Sequence, residues 1–174
     1  MSLRERYEWQ ASSKRERLLL AILQNYLPEP YDVRLTGLGA GLDERVEGRY
    51  ADAESAFDIT VYCNGIPVAY IDVTGVRDTR ELKAGLGYCV GSWKIGKARE
   101  LKVADRVWFA FVRYSDARVY FIKLDKIVKL GRRVKLVEGE NGYVCLDRSK
   151  WTSIASFARW LVNYARCKID ADVM

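Results

Sequence analysis

Two aspartates, Asp58 and Asp72, stand on either side of an Asn64-Gly65 pair, each at the far end of a run rich in Val, Ile and Tyr. Asn-Gly between two such runs is the strongest short signal for a hairpin turn. Phe57 to Cys63 and Ile66 to Val73 are therefore predicted to pair as antiparallel strands. With a two-residue turn at 64–65, paired positions sum to about 129, which sets Asp58 roughly opposite Ile71 and makes Asp72 its near neighbour across the ladder. Cross-strand and diagonal neighbours lie ~5–8 Å apart. Two carboxylates at that spacing can share one Mg²⁺, a hard cation that takes oxygen ligands and keeps several waters. Such a metal activates water and stabilises charge on a phosphodiester under attack. Aspartate is disfavoured inside strands, so two of them on one hairpin need a reason. The plain alternative is that both mark strand ends and face water.

The rest of the composition narrows the chemistry. The chain has no histidine, which excludes Ser-His-Asp and Cys-His triads and any histidine acid–base step. Carboxylates, lysines, tyrosines or an oxygen-ligated metal are what remain. Cys63, Cys89, Cys145 and Cys167 are scattered and form no CxxC pair, so no zinc site is expected. Their simplest reading is free or buried thiols in a reducing compartment. No apolar run approaches the roughly 20 residues that cross a membrane, and the N-terminal MSLRERYEWQ is too polar for a secretory signal. A cytoplasmic, intracellular protein is expected. Net charge is +6, yet residues 92–135 carry thirteen Lys/Arg against four Asp/Glu, which leaves the remainder acidic. A basic half joined to an acidic half is the footprint of a polyanion binder, although solvated basic faces would look the same.

The elements that must position the two aspartates can be read in outline. Residues 14–26 form an amphipathic helix, with Leu19, Ile22, Leu23 and Tyr26 on one stripe and Ser13 with Glu16 as a capping box. Pro28 and Pro30 end it. Tyr31 to Thr36 is a short strand, followed by a loop opened by Gly37, Gly39 and Gly41, and 42–55 is irregular. Residues 75–91 make a flexible connection or a weak helix, and Ser92 caps a basic helix over 93–103. Strands at 106–114 and 117–124 pair through Ser115-Asp116, a basic loop covers 125–142, and a helix spans about 152–166. In that last helix Ile154, Phe157, Ala158, Leu161 and Ala165 form the buried face. The pattern implies one α/β domain, a central mixed sheet with helices on its faces. The segment GLGAGL is GxGxG with no helix behind it, so a dinucleotide loop is rejected. Among the aromatics interleaved with basic residues, Trp108, Tyr114 and Tyr120 are expected in the core, and Trp93 in the core or at an interface.

The segment FDITVYCNGIPVAYIDVTGVRD resembles the PD…(D/E)xK core of the restriction-endonuclease-like superfamily, in its archaeal Holliday-junction-resolvase form. SKRERLLLAIL resembles the first helix of that family, VWFAFVRYSDARVYFIKLDKI its later hairpin, and NGYVCLDRSKWTSIASFARWLVNYA its last strand and helix. Element order matches over about residues 13–165, so the resemblance implies a restriction-endonuclease-like core within a single nuclease-like domain over 1–174. By position it assigns Glu16, Asp58 and Asp72 as ligands of Mg²⁺ or Mn²⁺. Leu19, Leu20 and Leu23, one and two turns on from Glu16, point that carboxylate towards the core. Phe57 replaces the proline of the motif, which is no ligand. Thr74 replaces the catalytic lysine, and a hydroxyl cannot supply that charge. Lys94, Lys97 and Arg77 are candidates to stand in for it, or to meet phosphates together with Arg99 and Lys102. The implied function is a metal-dependent endodeoxyribonuclease acting on branched DNA as a homodimer. The alternative is a DNA-binding or assembly module that kept the fold and lost cleavage.

Overall fold

The protein is described by a computed structural model covering residues 3–38, 52–74, 85–113, 116–135, 142–165 and 167. A five-stranded mixed sheet lies at its centre. Strands β1 (Tyr31–Leu35), β2 (Ile59–Cys63) and β3 (Ile66–Thr74) run antiparallel to one another. Next to β3 lies β5 (Val107–Arg113), parallel to it, and β6 (Arg118–Lys123) closes the sheet antiparallel to β5. A parallel pair needs a crossover. Here it contains β4 (Tyr88–Gly91) and a helix.

Among the described residues five α-helices surround the strands: α1 (Leu3–Tyr26), the single-turn α2 (Ala53–Ala56), α3 (Ser92–Glu100), α4 (Leu124–Leu130) and α5 (Ile154–Tyr164). Side chains alternate between the faces of the sheet, so each strand feeds two cores. Leu19, Leu23, Val61, Ile71, Val73, Phe121, Phe157 and Leu161 fill the side covered by α1 and α5. Phe57, Tyr70, Phe109, Phe111, Ile95, Ala98, Leu124 and Ile127 fill the side covered by α3 and α4. A second, three-stranded sheet of β4, β8 (Tyr143–Leu146) and β7 (Arg132–Val134) joins this second core through Tyr88, Val90, Val144 and Leu146.

The hairpin forms as its turn residues dictate. Asn64 and Gly65 both take positive φ, 51° and 78°, which a primed two-residue turn requires. The expected register holds beside the turn, where Cys63 faces Ile66 and Tyr62 faces Pro67. It then slips by one, so that Val61 faces Ala69 and Ile59 faces Ile71. Val68 is the extra residue, next to Pro67, which has no N–H to give to a ladder. Beyond the slip, Asp58 comes opposite Asp72 rather than Ile71.

Several sequence-based expectations need correcting. The first helix starts at Leu3, not at 14, because Arg, Glu, Gln and Ala sustain a helix without an apolar stripe. Ser13 and Glu16 are therefore buried mid-helix residues, not a capping box, and Leu27 takes the buried position expected of Tyr26, which is exposed. Part of 42–55 is helical: Asp52 accepts from Ser55 N at 2.9 Å and caps α2. The end of 75–91 is strand β4, Ser92 is the first residue of α3 rather than its cap, and 125–142 contains α4 and β7. The cysteines are paired, Cys89 with Cys145 across the β4–β8 ladder and Cys63 with Cys167, at Cα separations of 4.0 and 5.8 Å. Pairing depends on tertiary neighbours that spacing does not reveal, and the reading of these cysteines as free thiols falls with it. No helix among the described residues is long and apolar enough to cross a membrane.

Candidate active site

Asp58 lies just before β2, where the chain leaves α2 through the extended Phe57. Its carbonyl accepts from Thr36 N at 3.0 Å and Gly37 N at 3.3 Å, which pins it to the end of β1. Gly37 permits that approach, since a Cβ there would come within 2.8 Å of the Phe57 carbonyl. The Asp58 carboxylate accepts from the amide of Val73 at 2.7 Å, one residue beyond Asp72. Asp72 is buried in β3, at 4% exposure, on the sheet face it shares with Phe109. Thr74, two residues on, lies on that same face by the alternation of the strand.

α3 delivers two cations to this face. Lys94 and Lys97 are three residues apart and so share one side of the helix, while Ile95 and Ala98 anchor it in the core. Lys94 Nζ makes an ion pair with Asp72 Oδ2. Lys97 Nζ donates to the carbonyl of Ala56 and sits 4.8 Å from the centre of the Phe57 ring. Glu16 reaches the site from α1 on the other side of the sheet; it is buried and acts on the charge of Asp58.

The electrostatics follow from this crowding. Removal from water, then the neighbouring charges of Asp72 and Glu16, hold the Asp58 carboxyl well above the usual carboxylate range, against the opposing pull of Lys94 and the Val73 amide. Burial lowers the Lys97 ammonium below its ordinary value; the charge of Lys94 pushes the same way, while Asp72 and Asp58 resist. A buried carboxyl whose proton affinity is raised by neighbouring acids fits a cation, and all-oxygen donors suit a hard one such as Mg²⁺ or Mn²⁺. Among the described residues no three acids are drawn into a finished metal cage. The fit rests on the Asp58–Asp72 pair, with Glu16 behind it.

Of the residues predicted from sequence, Glu16, Asp58, Asp72, Lys94 and Lys97 converge. Arg99 and Lys102 are exposed at the end of α3 and beyond it, and Arg77 lies outside the described residues. Trp108 is core at 4% exposure, but Trp93 is 41% exposed, its ring edge-on to Tyr143 at 5.7 Å. Sequence reasoning missed the backbone partners, the Val73 amide and the Ala56 carbonyl, because main-chain groups carry no residue-type signal.

Known proteins agree with this architecture. A solved structure, that of D212, a nuclease from a fusselovirus, shares the fold with a TM-score of 0.63 at 19% identity, covering 87% of this chain and 92% of that one. The central mixed sheet flanked by helices that the sequence implied is thus shared with a nuclease at the level of fold. Over 93 residues the chain is 33% identical to the uncharacterized protein D-244 of Sulfolobus spindle-shape virus 1, a stretch equal to 49% of this chain and 37% of that relative. The family model for a viral/archaeal nuclease matches residues 20–163, a span that takes in Asp58, Asp72, Lys94 and Lys97 and stops short of Glu16. The five strands of the central sheet, an acidic pair and two lysines thus fall inside one matched region, and the chain belongs to the viral/archaeal nuclease family.

Proposed function

We propose that the protein is a metal-dependent endodeoxyribonuclease of the PD-(D/E)xK type, with branched DNA as its substrate and a homodimer as its working form. The observation that carries this reading is the ion pair of Lys94 with Asp72 beside Asp58, with Lys97 one turn away. In this reading those ammonium groups stand in for the motif lysine that Thr74 replaces. Asp58 and Asp72, supported by Glu16, would hold Mg²⁺ or Mn²⁺. When bound, the metal supplies Lewis-acid stabilisation of phosphodiester charge and a more acidic water.

The chain's own groups do the positioning. The Val73 amide fixes the rotamer of Asp58. Lys94, paired with Asp72, already has its side chain restricted at the site, so little rotamer freedom remains to be lost when it meets a phosphate. Its ammonium, or that of Lys97, would meet the developing negative charge on a phosphate oxygen, a contribution of about 10²–10³ in rate for one well-placed donor. Burial of the site strengthens each of these charges.

The test incubates four-way junction, flap and linear duplex DNA with Mg²⁺ or Mn²⁺, using wild type and Asp58→Ala. Metal-dependent cleavage of the branched forms, lost in Asp58→Ala, is expected. Binding with no cleavage in either ion sinks the enzyme reading, and cleavage that survives Asp58→Ala sinks the site.

A further inference from the structure

A second cluster of positive charge lies on the same face of the central sheet as the acidic pair. Phe109 is the register partner of Asp72, and Arg113 is four residues further along β5. Even spacing keeps Arg113 on that face. Across the next ladder Tyr120 pairs with Phe111 and Arg118 with Arg113, so these two side chains share the face as well. At about 3.3 Å per residue and 4.8 Å per strand, Arg113 stands roughly 14 Å from Asp72, towards the end of the sheet where the site lies.

Three guanidiniums gather there on one phenol. Arg148, from the turn after β8, stands over the Tyr120 ring at 5.7 Å. Arg113 and Arg118 both pair with Asp116, at 3.4 and 3.6 Å. Burial alone would raise the Tyr120 phenol, yet the hydrogen bond from Arg118, the charge of Arg148 and the hydrogen bond from Arg113 hold it below its ordinary value. Stacking on a ring and sharing one carboxylate both restrict guanidinium rotamers before a ligand arrives, which suits planar recognition of phosphate. The arginines stay open to solvent: Arg118 is 64% exposed and Arg113 35%.

We propose that Arg113, Arg118 and Arg148, organised around Tyr120, form a phosphate-binding subsite for the DNA strand flanking the scissile position. Its distance from Asp72 corresponds to about four base-pair steps at 3.4 Å each. The proposal rests on the DNA-nuclease reading. It extends the DNA-contacting surface from α3 to the β5–β6 hairpin. Asp116 plays the opposite part, occupying two of the guanidiniums until a phosphate displaces it.

The test measures binding of duplex DNA without metal in an Asp58→Asn background, which removes cleavage, over about 50 to 200 mM salt. Adding Arg118→Ala or Arg148→Ala should flatten the slope of log affinity against log salt by about 0.9 for each arginine removed, equally for unrelated sequences. Adding Asp116→Asn should tighten binding, a gain that a misfolded protein would not produce. Arg159→Ala, the same charge change on α5 across the sheet, is the control and should leave the slope as it was. Unchanged slopes for both arginine variants, or no gain with Asp116→Asn, overturn the subsite while leaving the nuclease reading intact. Failure of the Asp58→Asn parent to bind DNA with any salt dependence overturns both.

Discussion

Asp58→Asn should abolish cleavage and at the same time stabilise the metal-free protein. Continuing the register of Ile59 with Ile71 by one residue sets Asp58 opposite Asp72, with Glu16 behind them. Two carboxylates about 5 Å apart at an effective dielectric of about 20 repel by about 3 kcal/mol. Lys94 recovers part of that through Asp72. An asparagine keeps an oxygen for the Val73 amide and removes the charge, so the expected gain is roughly 1–3 kcal/mol. At about 2–4 °C per kcal/mol for a chain of this length, Tm should rise by roughly 2–12 °C. The pH dependence has a definite sign. The folded carboxyl of Asp58 is raised, so its contribution to stability is present in full below the unfolded value of 3.8 and is lost as pH rises through the folded value. The gap between variant and wild type should therefore be wide near neutrality and close as pH falls towards the ordinary aspartate range. The assay is thermal unfolding with chelator at a series of pH values, followed by addition of Mg²⁺, which should raise the Tm of wild type more than that of the variant. An Asp58→Asn protein no more stable than wild type at neutral pH would refute the picture of a repulsive acidic pair.

Further outcomes follow from other contacts. Lys94→Ala should lower cleavage about 10²–10³-fold and cost about 3–5 kcal/mol of stability, since it strands buried Asp72. Adding Thr74→Lys to that variant should restore part of the rate, because position 74 lies on the face of Asp72; no recovery would argue that the lysine must come from α3. Gly87→Ala should sharply lower Tm, as its φ is +79° and a Cβ would meet the Leu146 carbonyl at 2.3 Å. Replacing Cys89 and Cys145 with serine should cost roughly 2–4 kcal/mol in unfolding measured without reductant, from the freed unfolded chain.

Long-range order in the sequence was easier to read than its short elements. The hairpin announced itself because Asn64-Gly65 and two β-branched runs all favour the same structure, and the leucines around Glu16 gave its inward direction correctly. β4, β7 and α4 escaped because strands of four and three residues and a helix of two turns are too short to show a period. The polar first half of α1 escaped for a different reason: no face of it needs an apolar stripe to be helical. Arg113, Arg118 and Arg148 could not be grouped from spacing, since β-ladder register and the turn after β8 bring them together. Lys94 could be named as a candidate but not told apart from a surface lysine until α3 was docked on the sheet.

The extra residue at Val68 has a consequence for how such sites are found in other chains. In a hairpin with a two-residue turn and an unbroken ladder, facing positions sum to an odd number, so two facing residues are always separated by an odd count. Asp58 and Asp72 are separated by 14, an even count, and yet they face each other. With the two-residue turn at Asn64-Gly65, that parity betrays an inserted residue somewhere between the acids. A pattern that fixes both the interval between two facing carboxylates and a two-residue turn between them also fixes, without naming it, whether the ladder carries an inserted residue. Deleting Val68 would restore a regular ladder and, in the same stroke, move one aspartate of the pair out of phase with the other.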